Sequence, residues 1–83
     1  MNEKQILLQN IEKIHTTERG ILRIKKNLNL LDDNVVMFCK NKIQDTTCSC
    51  SQQGKNWYCK IDDIIITINS LSYTIITAHH VRR

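Results

Sequence analysis

The sequence predicts an α+β fold in which two to three N-terminal helices pack on a three- to four-stranded antiparallel β-meander. In the first half of the chain, apolar residues recur at helical spacing. In the second half, β-branched residues dominate and short polar turns separate the apolar runs. The strands must be antiparallel because a parallel crossover needs a dozen or more residues.

The length and composition set the domain count and the compartment that we expect. With 83 residues, 41% hydrophobic and 24% charged, the chain has enough apolar surface for one core. We expect a single domain over residues 1–83, with helices at about 3–43 and the meander at about 55–80. The apolar runs, Ile64–Ile66 among them, are too short to span a membrane, and the N-terminus has no signal-peptide pattern. The sequence therefore predicts a cytoplasmic protein with no membrane association.

Three segments of the first half have amphipathic helical patterns. The first covers Glu3 to Ile14, and the second begins near Glu18 after a threonine that suits an N-cap. The third is expected from about Asn34 to Lys42, with Asp32 or Asp33 as its N-cap.

Three strands are predicted after the glycine at position 54. Residues 44–54 are loop-like in composition, although Thr46, Cys48 and Cys50 alternate as a short edge strand would. The predicted strands cover about 56–61, 64–68 and 73–79, with turns at 62–63 and 69–72.

The four cysteines are expected to be free thiols. Cys39 and Cys59 fall in a predicted helix and strand, where small buried residues are common. Cys48 and Cys50 form a C-x-C pair, whereas zinc sites use C-x₂₋₄-C pairs with further ligands at matching spacing. We therefore predict no metal site and no cofactor.

Two histidines are candidate acid–base groups. His79 and His80 alternate on the last strand, so they lie on opposite faces, and Thr77 shares the face of His79. His15 lies at the junction of the first two helices. If His15 and His79 came together, they could serve as base and acid in attack of an RNA 2′-hydroxyl on phosphorus. The alternatives are that His79 is a solvated surface residue and that the ring of His15 simply helps to cap the turn.

Candidate substrate-binding residues lie on the second helix and at the mouth of the meander. Arg19, Arg23 and Lys26 share one helix face and could hold phosphate, or they are simply its solvated back. Trp57 is expected in the core, which turns Tyr58 outward as a stacking platform or partner contact. Further candidates are polar residues near the ends of the predicted strands, where the chemistry of turns would explain polar residues equally well. These candidates are Lys55, Asn56 and Thr77.

Three separated motifs, His15–Ile21, Gly54–Tyr58 and Ser72–His79, resemble the small bacterial family catalogued as domain of unknown function 3781. This resemblance covers most of the chain and implies no established activity. At the level of fold, the order of helices and sheet is also similar to RNase toxins of the barnase, colicin and RelE type. That likeness implies RNA cleavage by scattered polar side chains.

Two hypotheses of different classes follow. The first is a nucleic-acid-directed, metal-independent endoribonuclease, with His15 and His79 in catalysis and the basic helix face holding RNA; the net charge of +4 permits such a partner. The second is a non-enzymatic binding module, such as a phage- or mobile-element-encoded inhibitor that grips a host or cognate protein. A homo-oligomer formed through the last, edge strand is a third arrangement.

Overall fold

The computed structural model describes residues 2–81 and has three α-helices followed by a four-stranded antiparallel sheet in the order β1-β2-β3-β4. The predicted α+β meander is therefore confirmed. None of the helices in residues 2–81 is long and apolar enough to cross a membrane. The elements are α1 (Glu3–Gln9), a 3₁₀ turn (Ile11–Lys13), α2 (Glu18–Asn27), α3 (Val35–Gln44), β1 (Ser49–Gln53), β2 (Asn56–Ile61), β3 (Ile64–Asn69) and β4 (Ile75–His80).

One hydrophobic cluster fills the space between the helices and one face of the sheet, which we call the inner face. Isoleucine supplies much of it because alternate residues of β2, β3 and β4 point the same way. Each large side chain buried here contributes about 1.5–3 kcal/mol. The most deeply buried members are Leu7, Ile24, Val35, Cys39, Ile43, Cys59, Ile66, Ile68, Ile75 and Ala78.

The predicted first helix is shorter than the apolar spacing suggested. It ends at Gln9, because the side chain of Asn10 donates to the carbonyl of Ile6 at 2.8 Å and competes with the next helical turn. A 3₁₀ turn then carries the chain to Ile14. The predicted apolar positions still reach the core, since Leu7 and Ile14 are buried and Ile11 packs against them.

The caps of the other two helices agree with the prediction in one case and correct it in the other. Thr17 caps α2 by accepting a hydrogen bond from the backbone of Gly20 at 3.0 Å. The N-cap of α3 is Asn34, not either aspartate, and its side chain accepts from the Met37 backbone. Asp32 instead accepts from the backbone N–H of Asn34, so it shapes the turn that precedes the cap.

The strands include the short edge strand that composition left open, since β1 pairs with β2 along its whole length. Gly54, at φ +61°, and Asp62, at φ +53°, supply the left-handed residues of the two tight turns. The last strand begins at Ile75, two residues later than predicted. Tyr73 has φ +59°, which is incompatible with extended pairing to β3.

Residues of α1 cover the outer edge of β1. The Glu3 carboxylate accepts the backbone N–H of Gln52 at 2.7 Å, and the Lys4 ammonium donates to the carbonyl of Cys48 at 2.6 Å. Lys4 also donates to the carbonyl of Asp45. These contacts satisfy backbone groups that a neighbouring strand would otherwise pair.

The outer edge of β4 is covered by the segment that leads into α2. The backbone N–H and C=O of His15 bond to Tyr73 and Ile75 in a short parallel bridge, with distances of 3.1 and 2.7 Å. The hydroxyl of Thr16 then donates to the carbonyl of Ile75 at 2.9 Å. Farther along, Asn27 donates to the carbonyl of Ala78. The outer edge of β4, which the sequence suggested as an interface for a homo-oligomer, is thus partly occupied by other residues of the same chain.

We predict that Gly20→Ala lowers the free energy of unfolding by about 1–2 kcal/mol. Alanine favours a helix over glycine by about 1 kcal/mol. The added Cβ would, however, collide with the Thr16 hydroxyl and break its bond to β4, a combined cost of about 2–3 kcal/mol.

Urea denaturation measures this change. Leu22→Ala, an exposed position in the same helix, is the control and should change stability by less than about 0.5 kcal/mol. A Gly20→Ala protein as stable as the wild type would show that α2 does not approach the sheet edge closely.

Candidate functional site

The face of the sheet opposite the helices, which we call the open face, is polar and accessible. The strand register aligns its residues in rows that cross the sheet. With the exception of Thr67, which is 8% exposed, these residues are half-buried or exposed. The middle row is Ser51, Tyr58, Thr67 and Thr77; the rows beside it are Gln53, Asn56 and Asn69, and Ser49, Lys60, Ile65 and His79.

Tyr58 occupies the centre of the open face. Trp57 points the other way and is 2% exposed, as the alternation predicted. The side-chain amide of Asn56 lies 3.5 Å from the Tyr58 hydroxyl, and Lys60 follows two residues later on the same face. Tyr58 therefore lies between Asn56 and Lys60 along β2 and directly opposite Thr67 of β3.

The histidines of the last strand divide as the alternation predicted. His79 faces outward beside Ile65 and has no hydrogen-bond or ion-pair partner among residues 2–81. His80 instead lies 3.1 Å from a carboxylate oxygen of Asp63 at the β2–β3 turn. Thr77 shares the open face with His79, so His79 is the histidine that a ligand on this face would meet.

His15 lies at a different place. Its Nδ1 is 2.8 Å from the carbonyl of Lys13, so this nitrogen carries a proton, and its Nε2 is 3.1 Å from the hydroxyl of Thr74. The hydroxyl of Thr74 in turn lies 2.8 Å from the hydroxyl of Ser72. Because His79 lies five residues beyond Thr74, strand geometry separates the two histidines by about 15 Å. The structure does not bring His15 and His79 together.

Three of the four cations of α2 are exposed and unpaired within residues 2–81, whereas the fourth, Lys25, pairs with Asp33. Arg19, Arg23 and Lys26 share the solvent side of the helix. The last turn of α2 reaches the open face, because the side chain of Asn27 donates to the hydroxyl of Thr77 at 3.3 Å. A polyanion on the open face could therefore extend onto the basic side of α2.

Asn56 and Asn69, the two asparagines of the row that also contains Gln53, have different roles. Asn69 is structural, since its side-chain oxygen accepts from the backbone of Leu71 and from both the backbone and the hydroxyl of Ser72. Asn56, directly opposite, makes one long contact to Tyr58. Lys55 lies in the turn beside it, and its carbonyl accepts the backbone N–H of Ser70 while its side chain is exposed.

Sequence reasoning overlooked three residues of this surface. Lys60 shares the face of Tyr58 by the period of two, which was visible in the sequence. Ser51 and Asn27 could not be identified from the sequence. Ser51 belongs to the strand that the sequence left open, and the position of Asn27 depends on the docking of α2. Within residues 2–81, no group of three or more His, Cys, Asp or Glu side chains has a metal-binding arrangement.

We predict that Asn69→Ala lowers the free energy of unfolding by about 1 kcal/mol, because three donors lose their acceptor at the β3–β4 turn. Asn56→Ala, its partner across the strands, is the control and should change stability by less than about 0.5 kcal/mol. Urea denaturation checks both variants. Equal losses would mean that Asn56 is also a structural residue.

Comparison with known proteins identifies a family but no activity. No curated protein matches the chain, and no solved structure matches it. The likeness to RNase toxins is therefore not confirmed. The profile of the family described as "Protein of unknown function (DUF3781)" matches residues 8–79, a range that includes all three sequence motifs and the whole open face of β2 and β3. The chain belongs to this family.

Proposed function

We propose that this protein binds single-stranded nucleic acid on the open face of its sheet. The observation that carries the proposal is the central Tyr58, which has Asn56 and Lys60 beside it on an accessible polar face. Base stacking on an aromatic ring is worth about 1–3 kcal/mol per base and tolerates any sequence, because every base has a π-face. Four-stranded sheets with exposed aromatic residues bind single-stranded RNA in this way.

The charges near Tyr58 support a nucleic acid over an uncharged ligand. Lys60 lies on the same face, and the side chain of Lys55 is exposed in the turn beside Asn56. Asn56 can donate to and accept from base edges, because its amide is not consumed by the fold. The net charge of +4 has the sign required for a polyanion.

Arg23 and Lys26 extend the proposed path. Asn27 joins their helix to Thr77, which is the last residue of the row that contains Tyr58. A single strand stacked on Tyr58 and running across the sheet would cross about 10 Å to reach β4, where Asn27 of α2 meets Thr77, and the cations of α2 lie beyond that point. Phosphate contacts there would add affinity without sequence preference.

We propose binding rather than cleavage as the activity. An endoribonuclease that uses His15 as base and His79 as acid needs both groups within hydrogen-bond reach of one phosphate, directly or through one water. A separation of about 15 Å along β4 does not allow this. His79 remains the candidate for contact with nucleic acid on the open face. His15 instead has a structural role, because its hydrogen bonds hold the turn.

The alternative, a module that grips a host or cognate protein, is favoured by the small size of the chain and by the exposed Ile76 and Leu71 near β4. The open face itself is less suited to that partner. Apart from Tyr58 and Ile65 it is polar, whereas the centres of protein interfaces are depleted in charge and enriched in apolar and aromatic groups.

The stacking role of Tyr58 has a direct test. Tyr58→Ala should weaken binding to fluorescein-labelled oligo(U) and oligo(A) by about tenfold or more, because it removes about 1–3 kcal/mol of stacking. Tyr58→Phe keeps the ring and should bind within about threefold of wild type. Fluorescence anisotropy measures both. Wild-type protein that binds neither oligonucleotide at low salt would rule out the proposed function.

The phosphate contacts have a separate test in the salt dependence of binding. Lys60→Ala should reduce the slope of log affinity against log salt concentration by about 0.7, the contribution of one phosphate contact to a single strand. Lys40→Ala makes the same change of charge on α3 in the helical layer and should leave the slope unchanged. A reduction of equal size in both variants would indicate general electrostatic attraction instead of a site on the open face.

The absence of catalysis is tested with the same proteins. Total RNA incubated with excess wild-type protein in a metal chelator should remain intact on a denaturing gel. Cleavage that His79→Ala abolishes and His15→Ala leaves unchanged would show a catalytic site built on the open face alone. Binding lost in Tyr58→Ala together with intact RNA is the expected result.

A further inference from the structure

An apolar recess lies in the helical layer, where the loop between α2 and α3 meets the first turn of α3. It has a volume of ≈ 420 Å³, and its lining is mostly apolar, with side chains from Leu30, Leu31, Met37 and Phe38. Leu30 and Phe38 also pack against the core, whereas Leu31 is 97% exposed and Met37 is 50% exposed. The packing of the fold therefore does not account for Leu31 and Met37.

The loop that presents Leu31 is held in place on both sides. On the α2 side, the Lys25 ammonium pairs with the Asp33 carboxylate at 2.5 Å. On the α3 side, the carboxylate of Asp32 accepts the backbone N–H of Asn34 at 2.8 Å. The outward position of Leu31 is thus fixed before any partner arrives, which lowers the entropy that binding would cost.

The recess has a lysine within one helical turn of its lining on each side. Lys26 lies three residues before Asn29, which lines the recess from the end of α2, and Lys40 lies three residues after Met37 on α3. Neither lysine has an ion-pair partner among residues 2–81. The one carboxylate of the lining, that of Asp32, is bonded to a backbone N–H. Unpaired positive charge therefore flanks the recess.

These charges discriminate between the kinds of molecule that could cover the recess. In a symmetric pair of this chain, each recess would meet the same two lysines of the second copy, and like charges oppose that contact. A nucleic acid would satisfy the lysines, but its bases stack on open aromatic faces, and the half-buried Phe38 ring has the Lys42 ammonium over it at 5.5 Å. An acidic protein segment with apolar side chains satisfies both the lysines and the recess.

We propose that the recess is the docking site of a partner protein whose binding segment is an acidic amphipathic helix. Apolar side chains one turn apart on that helix contact Leu31 and Met37, and its carboxylates face Lys26 and Lys40. This interaction does not depend on nucleic-acid binding, because the recess lies in the helical layer and the open face lies on the other side of the sheet. Only Lys26 belongs to both surfaces.

A synthetic peptide tests the chemistry of the partner. The probe is a fluorescein-labelled peptide of about 20 residues, long enough to form a helix, with leucines at helical spacing on one face and glutamates and alanines elsewhere. A scrambled peptide of the same composition, in which the leucines do not share a face, is the control. By fluorescence anisotropy with the full-length protein, the amphipathic peptide should bind at least about tenfold more tightly than the scrambled one. Equal affinities, or no binding of the amphipathic peptide at low salt, would overturn the proposal.

Two exposed leucines provide a matched pair of variants that locate the site. Leu31→Asp should weaken binding of the amphipathic peptide by at least about tenfold, because it removes an apolar contact and adds a negative charge at the recess. Leu71→Asp makes the same change at a leucine that is 84% exposed in the β3–β4 turn, and it should bind within about twofold of wild type. Circular dichroism melting should show both variants folded, since neither side chain is buried. Equal affinities of the two variants would overturn the proposal.

The charge of the partner is tested at Lys40. Lys40→Glu should weaken binding of the amphipathic peptide by about threefold or more and reduce its salt dependence, because attraction to a carboxylate becomes repulsion. The same variant should bind oligo(U) as wild type does, because Lys40 lies on α3 and away from the open face. Wild-type affinity of Lys40→Glu for the peptide would overturn the assignment of an acidic partner.

Two further measurements with Leu31→Asp separate the proposed partner from other occupants. Light scattering should give the same mass for wild type and variant, and a wild-type dimer that Leu31→Asp dissociates would identify a second copy as the occupant. Neither protein should sediment with vesicles of phosphatidylglycerol, and sedimentation lost in Leu31→Asp would identify a membrane surface instead. Either result would overturn the proposal. Unchanged binding of oligo(U) by Leu31→Asp shows that the recess and the open face act separately.

Discussion

The structure depends on how the backbone groups at the two outer edges of the sheet are satisfied. A four-stranded meander exposes a row of unpaired N–H and C=O groups along its first and last strands, and these groups invite pairing with other chains. Here the helical half supplies the partners. The side chains of Glu3 and Lys4 serve β1, while the backbone of His15 and the side chains of Thr16 and Asn27 serve β4.

This arrangement assigns each surface of the sheet a different environment. The inner face is occupied by the apolar sides of the helices, and the edges by their polar ends. The open face is left to solvent, which explains why polar residues alternate regularly with buried ones along β2.

The sequence predicts the fold well because its signals are local. Period-two alternation defines β2, a β-branched run defines β3, and the aspartate pair at 62–63 defines their turn. The errors arise where a single polar side chain competes with the backbone: Asn10 ends α1 early, and Asn34 takes the cap expected of an aspartate. The late start of β4 depends on the left-handed backbone of Tyr73, which no propensity for an aromatic residue predicts.

The candidate site is less predictable than the fold because it depends on register. Period-two alternation is enough to place Asn56, Tyr58, Thr77 and His79 on one face. It does not say which residues are opposite one another: strand register brings Cys50 to Cys59, and the docking of α2 brings Asn27 to Thr77. The distance between His15 and His79 likewise depends on the pairing of His15 with Thr74, which the sequence does not reveal.

The edge contacts also bear on how the chain is made. The bonds from Lys4, Glu3, Asn27 and Thr16 join residues 44, 49, 51 and 59 positions apart in a chain of 83. The helices leave the ribosome first, yet helices of seven and ten residues are marginal without a packing surface. That surface exists only after β4 has been synthesised. The half of the protein that is made first therefore becomes stable only once the last strand has been made.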